Sequence, residues 1–310
     1  QMRDWFEGDL SWTDFQTKLE NLPQGLDGCY RKTFEKFIGS NQNYGRNFVL
    51  LMVGCREPLS EATVKELLQI VQRQQFTLLK ESTTTVFPLV GEGEHAARFV
   101  PYHKSIVDWL TSDGRDKRES SYFDVEEASL FVAEKLLKKI KMTWRKTALE
   151  LKELVIEEAE ELHQLEIKIV LSERRIDDST LLHAARNLTS HLNSSQLGLV
   201  TYFLMTNLTW LQLSLEAMGL AGLLESYSKL LLSDEWLPEP CRGDLMKDVK
   251  LMSQFLKLLV PAKLDDGMNW RREICTQITA RLTKTPTSTR SSWSRIGRLV
   301  EEAQTYLQTH

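Results

Sequence analysis

The chain has 310 residues, 42% hydrophobic and 26% charged, with a formal net charge of −4 and a pI near 6.0. Those values suit a globular protein of about two domains, and the slight acidity offers no general attraction to nucleic acid or an anionic membrane. No apolar run approaches the roughly 20 residues a membrane span needs. The opening Gln1-Met2-Arg3-Asp4-Trp5 does not resemble a signal peptide, so a cytoplasmic piece of a longer protein is expected.

Residues 1–23 carry helical periodicity through Trp5, Phe6, Leu10, Trp12, Phe15 and Leu19, and read as the tail of a preceding helical subdomain. Pro23 and Gly25 break it, and Asp27 is placed as the N-cap of a helix to about Ile38. A second helix is expected from Tyr44 to Cys55. Ser60 is the predicted N-cap of a third through Gln69, and Val71 to Lys80 is a further amphipathic stretch. Two extended runs follow, Thr83 to Val90 and Ala97 to Tyr102, joined by the acidic turn Gly91-Glu92-Gly93-Glu94. A closing helix carries Ile106, Val107, Trp109 and Leu110 as its apolar stripe.

Residues 113–121 form a polar connection, and everything beyond Val125 has helical character. Residues 144–175 contain no Gly or Pro and predict one long helix, as a coiled-coil arm or packed along its own domain. Two helices are expected to meet at Gly219 and Gly222. A loop holding Pro238 and Pro240 precedes helices at Leu245–Leu259 and Trp270–Leu282. A Ser/Thr-rich linker covers 283–292, and a terminal helix follows from Trp293. No repeat of fixed period is present.

Cys29, Cys55, Cys241 and Cys275 include no pair at metal-ligand spacing, so reduced core thiols and no zinc site are expected. Glu57, Glu61 and the run Glu157–Glu161 read as carboxylates on solvated helix faces. His163 lacks the HExxH partner of a zinc protease. No Gly-Lys dipeptide occurs, which excludes a P-loop from this stretch of sequence, and Gly91-Glu92-Gly93 is too acidic to cradle phosphate. The chain is therefore not expected to be an enzyme.

Two motifs remain: Leu22-Pro23-Gln24-Gly25-Leu26-Asp27 with Tyr30 and Phe34, and Tyr102-His103-Lys104-Ser105 with Asp108-Trp109-Leu110. Together they resemble the winged-helix domain of NACHT-type signalling ATPases. Between His183-Ala184-Ala185-Arg186-Asn187-Leu188 and Tyr227, the run containing Trp210-Leu211-Gln212 and Glu216-Ala217-Met218-Gly219 resembles the helical region before a WD-repeat propeller in that class. The resemblance implies a mainly α fold, with a winged-helix domain at 24–112 that carries a small β-hairpin. An all-helical domain at 122–282 with one long helix would follow. It further implies that His103 contacts the β-phosphate of ADP in a closed, inactive state, at a strand-to-helix junction where helical N–H groups already favour an anion. ADP or ATP would be the ligand of the longer protein. Its partners would be an upstream NACHT nucleotide-binding domain, a downstream WD-repeat propeller and further copies on activation, with no membrane and no nucleic acid.

The rival reading is a winged helix that binds DNA through Gln72, Arg73, Gln74, Gln75 and Lys80. Only two of those residues are cationic, and Glu92 and Glu94 stand where phosphates would lie.

Overall fold

The computed structural model describes residues 25–41, 44–55, 57–93, 97–112, 122–139, 179–194, 198–232, 235–237, 239–259, 270–283 and 295–309. The expectations for 1–23, for the long helix at 144–175 and for nearly all of the linker at 283–292 lie outside them. The first half contains α1 (Gly25–Ser40), α2 (Gly45–Gly54), β1 (Leu59–Ser60), α3 (Glu61–Leu67), α4 (Arg73–Thr83), β2 (Leu89–Val90), β3 (Arg98–Phe99) and α5 (Lys104–Leu110). The second half is helical: α6 (Val125–Lys139), α7 (Ser179–Ser194), α8 (Gly198–Met205), α9 (Leu208–Leu231), α10 (Glu239–Lys257), α11 (Trp270–Leu282) and α12 (Ile296–Thr309). The fold is mainly α with one small antiparallel sheet.

That sheet has three strands rather than the two expected, in the order β1-β3-β2. Leu59, Phe99 and Leu89 fall in one row across it, and Leu59 and Phe99 reach the core. Backbone bonds from Val100 to Pro88 and from Tyr102 to Val86 extend the β2–β3 pairing beyond the regular ladder. The extended run anticipated from Thr83 begins later, because α4 continues to Thr83 and a turn occupies 84–86. Phe48 is the hub of the core here, with its ring 5.2 Å from Phe99, 5.7 Å from Phe87 and 5.9 Å from Phe37, all edge-on. Edge-to-face contacts of this kind add to the stabilisation from burial.

Several boundaries shift for local reasons. Helix α1 already includes Gly25, so Asp27 lies in its first turn instead of capping it. Ser60 does cap α3, accepting from the Thr63 N–H at 3.0 Å. That helix stops at Leu67 because Gln69 takes a left-handed backbone (φ 57°) and the Ile70 N–H bonds back to the Lys65 carbonyl. Gly219 breaks α9 with φ 68° and ψ 177°, whereas Gly222 stays helical. Pro240 lies in the first turn of α10, where its missing N–H removes no helical bond.

The two halves pack together through α6, which lies along α2 and also against α7. Approach is so close at Gly54 that a Cβ there would come within 2.5 Å of the Ala128 carbonyl oxygen. Arg46 of α2 places its guanidinium 4.8 Å over Phe123 and reaches Glu127 at 3.2 Å. Among the described residues no helix is long and apolar enough to cross a membrane.

Candidate functional site

The fold brings the two motifs of the first half into contact. Trp109 on α5 donates from Nε1 to Asp27 Oδ1 on α1 at 2.7 Å. Its ring stacks on Phe34 at 5.6 Å and meets Tyr30 at 5.5 Å. Tyr30 Oη lies 2.9 Å from Ser105 Oγ, and Ser105 Oγ lies 2.7 Å from His103 Nδ1. These positions recur on a face of α1 because residues three and four apart are neighbours on a helix.

His103 stands exposed at the N-cap of α5, where its Nδ1 accepts from the Ser105 N–H at 3.2 Å. An accepting Nδ1 puts the proton of a neutral ring on Nε2. One N–H of the first helical turn is thus already satisfied by His103 itself, leaving one donor fewer for an anion there. The imidazole itself is exposed. Lys104 is exposed, whereas Ser105 is half-buried and bonded on both sides.

A second constellation lies at the junction of the two halves. Cys55 leaves α2 with extended backbone, and its Sγ is 4.0 Å from His183 Nε2 on α7. The other ring nitrogen of His183 is 2.9 Å from Glu57 Oε1, and the Asn187 side-chain amide donates to the same oxygen at 2.8 Å. His191 lies two helical turns on, its ring centroid 6.4 Å from that of His183. Donor atoms of Cys55, His183 and His191 all lie within 4.8 Å of one another. His191 is fully buried and His183 nearly so.

Glu57 therefore does not sit on a solvated helix face. It lies in a bend before β1, half-buried, with His183 and Asn187 as partners. The hydrogen bond with His183 holds its carboxyl below the ordinary value, against the opposite effect of partial burial. Burial pushes the Cys55 thiol far up, and the neighbouring Glu57 charge adds to that. Next to this cluster, Glu66 of α3 accepts from Lys139 of α6 and from Thr180 of α7 at 2.6 Å. Two carboxylates thus pin the helical half to the first half. Cys29, expected in the core, is exposed on α1, while Cys275 is buried.

The run around Trp210 and Gly219 is structural. Arg186 donates to the Ala217 carbonyl at 3.2 Å beside the Gly219 break, and Trp210 and Tyr227 are fully buried. Tyr227 donates to the Met205 carbonyl. Comparison with protein-family models, curated proteins and solved structures found no match.

The family resemblance points to His103, and spacing in the sequence does not point to the junction cluster. Cys55 and His183 are 128 positions apart, and only helix packing places α2 against the partners of α7. The clue available in sequence was a polar face on an otherwise apolar helix, His183-Asn187-His191 at steps of four.

The α4 surface was the candidate DNA-reading element. There Lys80 gives its ammonium to both oxygens of Glu61, at 3.0 and 3.1 Å. Arg73 lines an open groove with Lys65, Thr77 and that ion pair. The exposed face also presents Leu78 to solvent. A committed lysine and an exposed leucine make a weak phosphate surface.

Proposed function

We propose that this chain is the regulatory, non-catalytic region of a NACHT-type nucleotide switch. His103 latches the ADP-bound closed state, and the helical half transmits the state of the latch to a C-terminal sensor. The observation that carries the reading is the interlock of the two motifs through Asp27–Trp109 and Tyr30–Ser105–His103. Residues 75 and 82 positions apart form two hydrogen-bonded links, joined by the Tyr30–Trp109 ring contact, and one of them ends on an exposed imidazole. A link of this kind holds one ring tautomer and one direction, which is what a donor aimed at a diphosphate oxygen requires.

In this scheme the P-loop, the Mg²⁺ ligands and most nucleotide contacts belong to an upstream domain, and His103 supplies one donor across the interface. One hydrogen bond to a charged phosphate contributes about 1.5–3 kcal/mol, enough to shift a two-state equilibrium about ten- to hundredfold. The two halves move as one lever because Glu57, Glu66 and the Gly54–Ala128 approach join them.

The test is ADP release from the longer protein with and without His103→Ala. The expected result is an off-rate about ten- to hundredfold faster, with assembly into oligomers at lower ATP, in a variant that melts normally. An unchanged off-rate in the folded variant removes His103 from the latch. ATP turnover by the purified 310-residue chain, or a longer protein lacking a Walker A motif upstream, would end the reading as a whole. Tight DNA binding with a steep salt dependence would favour the rival instead.

A further inference from the structure

We propose that Cys55, His183 and His191 form a binding site for a zinc-class divalent metal ion that clamps the end of α2 to α7. The proposal is independent of the nucleotide-switch reading and rests on four features of the junction.

The first is convergence. One thiol and two imidazoles from two elements bring their ligand atoms within 4.8 Å of one another. Tetrahedral zinc, with bonds of about 2.0–2.1 Å to nitrogen and 2.3 Å to sulfur, separates its ligand atoms by about 3.3–3.6 Å. Closing the difference takes at most about 1.5 Å for any pair, within reach of small side-chain torsions. Second comes orientation. His183 Nδ1 is 2.9 Å from the Glu57 carboxylate, so its proton sits there and the bare Nε2 lone pair faces Cys55 Sγ at 4.0 Å. Metal-ligating histidines are held in this way, with a carboxylate on the far nitrogen. Asn187 fixes the carboxylate in turn, at 2.8 Å.

Third is the chemistry of the set. Sulfur plus two imidazole nitrogens selects zinc and its neighbours over magnesium or calcium, which take oxygen ligands. Cys55 coordinates as the thiolate, with its proton released to solvent. The fourth feature is accessibility. His191 and His183 are buried, but Cys55 keeps partial exposure at the margin of the two halves. A metal here cross-links two elements far apart in sequence, so its binding energy becomes stability of the junction.

The experiment adds Co²⁺ to the full metal-free chain and follows the absorption spectrum. One equivalent is expected to give a thiolate-to-cobalt charge-transfer band with intense tetrahedral visible bands, displaced by one equivalent of Zn²⁺. Zn²⁺ is also expected to raise the melting temperature until one equivalent is bound. Glu57→Gln keeps the ligands but loosens His183, and should weaken affinity about ten- to hundredfold. Cys29→Ala, at an exposed thiol elsewhere, should change nothing. Cys55→Ser should abolish the charge-transfer band; a band that survives it overturns the proposal, as does absence of any band in the wild-type chain. Should Cys55→Ser fail to fold, X-ray absorption on the zinc-loaded wild type decides: a single sulfur ligand supports the site, and none or several overturns it.

Discussion

Trp109 Nε1 donates a 2.7 Å hydrogen bond to Asp27 Oδ1 while its ring stacks on Phe34, joining segments 82 positions apart. The ring and the polar bond contribute differently, because the bond is exposed to water whereas the half-buried ring packs on the fully buried Phe34. Losing an aromatic side chain to alanine costs about 3 kcal/mol or more in packing. An exposed hydrogen bond is worth about 1 kcal/mol. Trp109→Ala should therefore lower stability by about 3 kcal/mol and Trp109→Phe by about 1 kcal/mol in urea unfolding. Equal losses from both substitutions would mean that the Asp27 bond, not the stack, holds α5 on α1.

His103 is exposed, caps a short helix and bonds through its side chain to the half-buried Ser105. Removing a cap costs about 1 kcal/mol. His103→Ala should thus change the melting of the 310-residue chain only slightly, leaving any effect on nucleotide release to reflect the latch. A loss of several kcal/mol would mark His103 as structural.

Gly54 presents a conflict of two effects with opposite signs. Alanine is favoured over glycine in a helix by about 1 kcal/mol. Its Cβ would lie 2.5 Å from the Ala128 carbonyl oxygen and 2.8 Å from Val132 Cγ2. Backbone cannot yield as a flexible side chain does, so the clash wins. Gly54→Ala is expected to destabilise by about 1–3 kcal/mol and to loosen α6 from α2. Hydrogen exchange of the α6 amides against those of α10 will read this directly; a uniform or absent change would contradict the close approach.

Tyr202 links three elements of the helical half. Its phenol donates to Asp248 at 2.6 Å and accepts from the Arg295 N–H at 3.0 Å, all three residues being buried. Burial raises the phenol well above its ordinary value, and the Asp248 carboxylate raises it further. The folded state therefore favours the neutral phenol. Its contribution is complete below the unfolded value of about 10 and is lost as pH rises above that. Tyr202→Phe should cost about 1–3 kcal/mol at neutral pH by removing a donor from a buried carboxylate. The gap to wild type should narrow in guanidinium titrations run above about pH 10. A gap that widens with pH would refute the assignment of the alkaline loss to Tyr202.

Local chemistry was readable from the sequence where a side chain acts within one turn of its own helix. Ser60 caps α3 through an N–H three residues on, and Gly219 admits a backbone that other residues resist. The apolar steps Ile106–Leu110 and Phe34–Phe37 mark buried faces because helical period alone selects them. Endings were less legible. The stop at Gln69 depends on a left-handed non-glycine residue, which no propensity reveals.

Period and local capping already in the sequence mark a mainly helical chain with a small sheet, and inward residues such as Phe34, Ile106 and Leu110. Only tertiary structure decided what those faces meet. It added β1 to the sheet, because an edge pairs with whatever strand the packing delivers. It placed Asp27 against Trp109, gave Glu57 His183 and Asn187 as partners, and drew Cys55, His183 and His191 together. Such contacts depend on helices laid side by side after long stretches of chain. Their residue types carry no spacing signal, because the distance between them is set by packing and not by the backbone between.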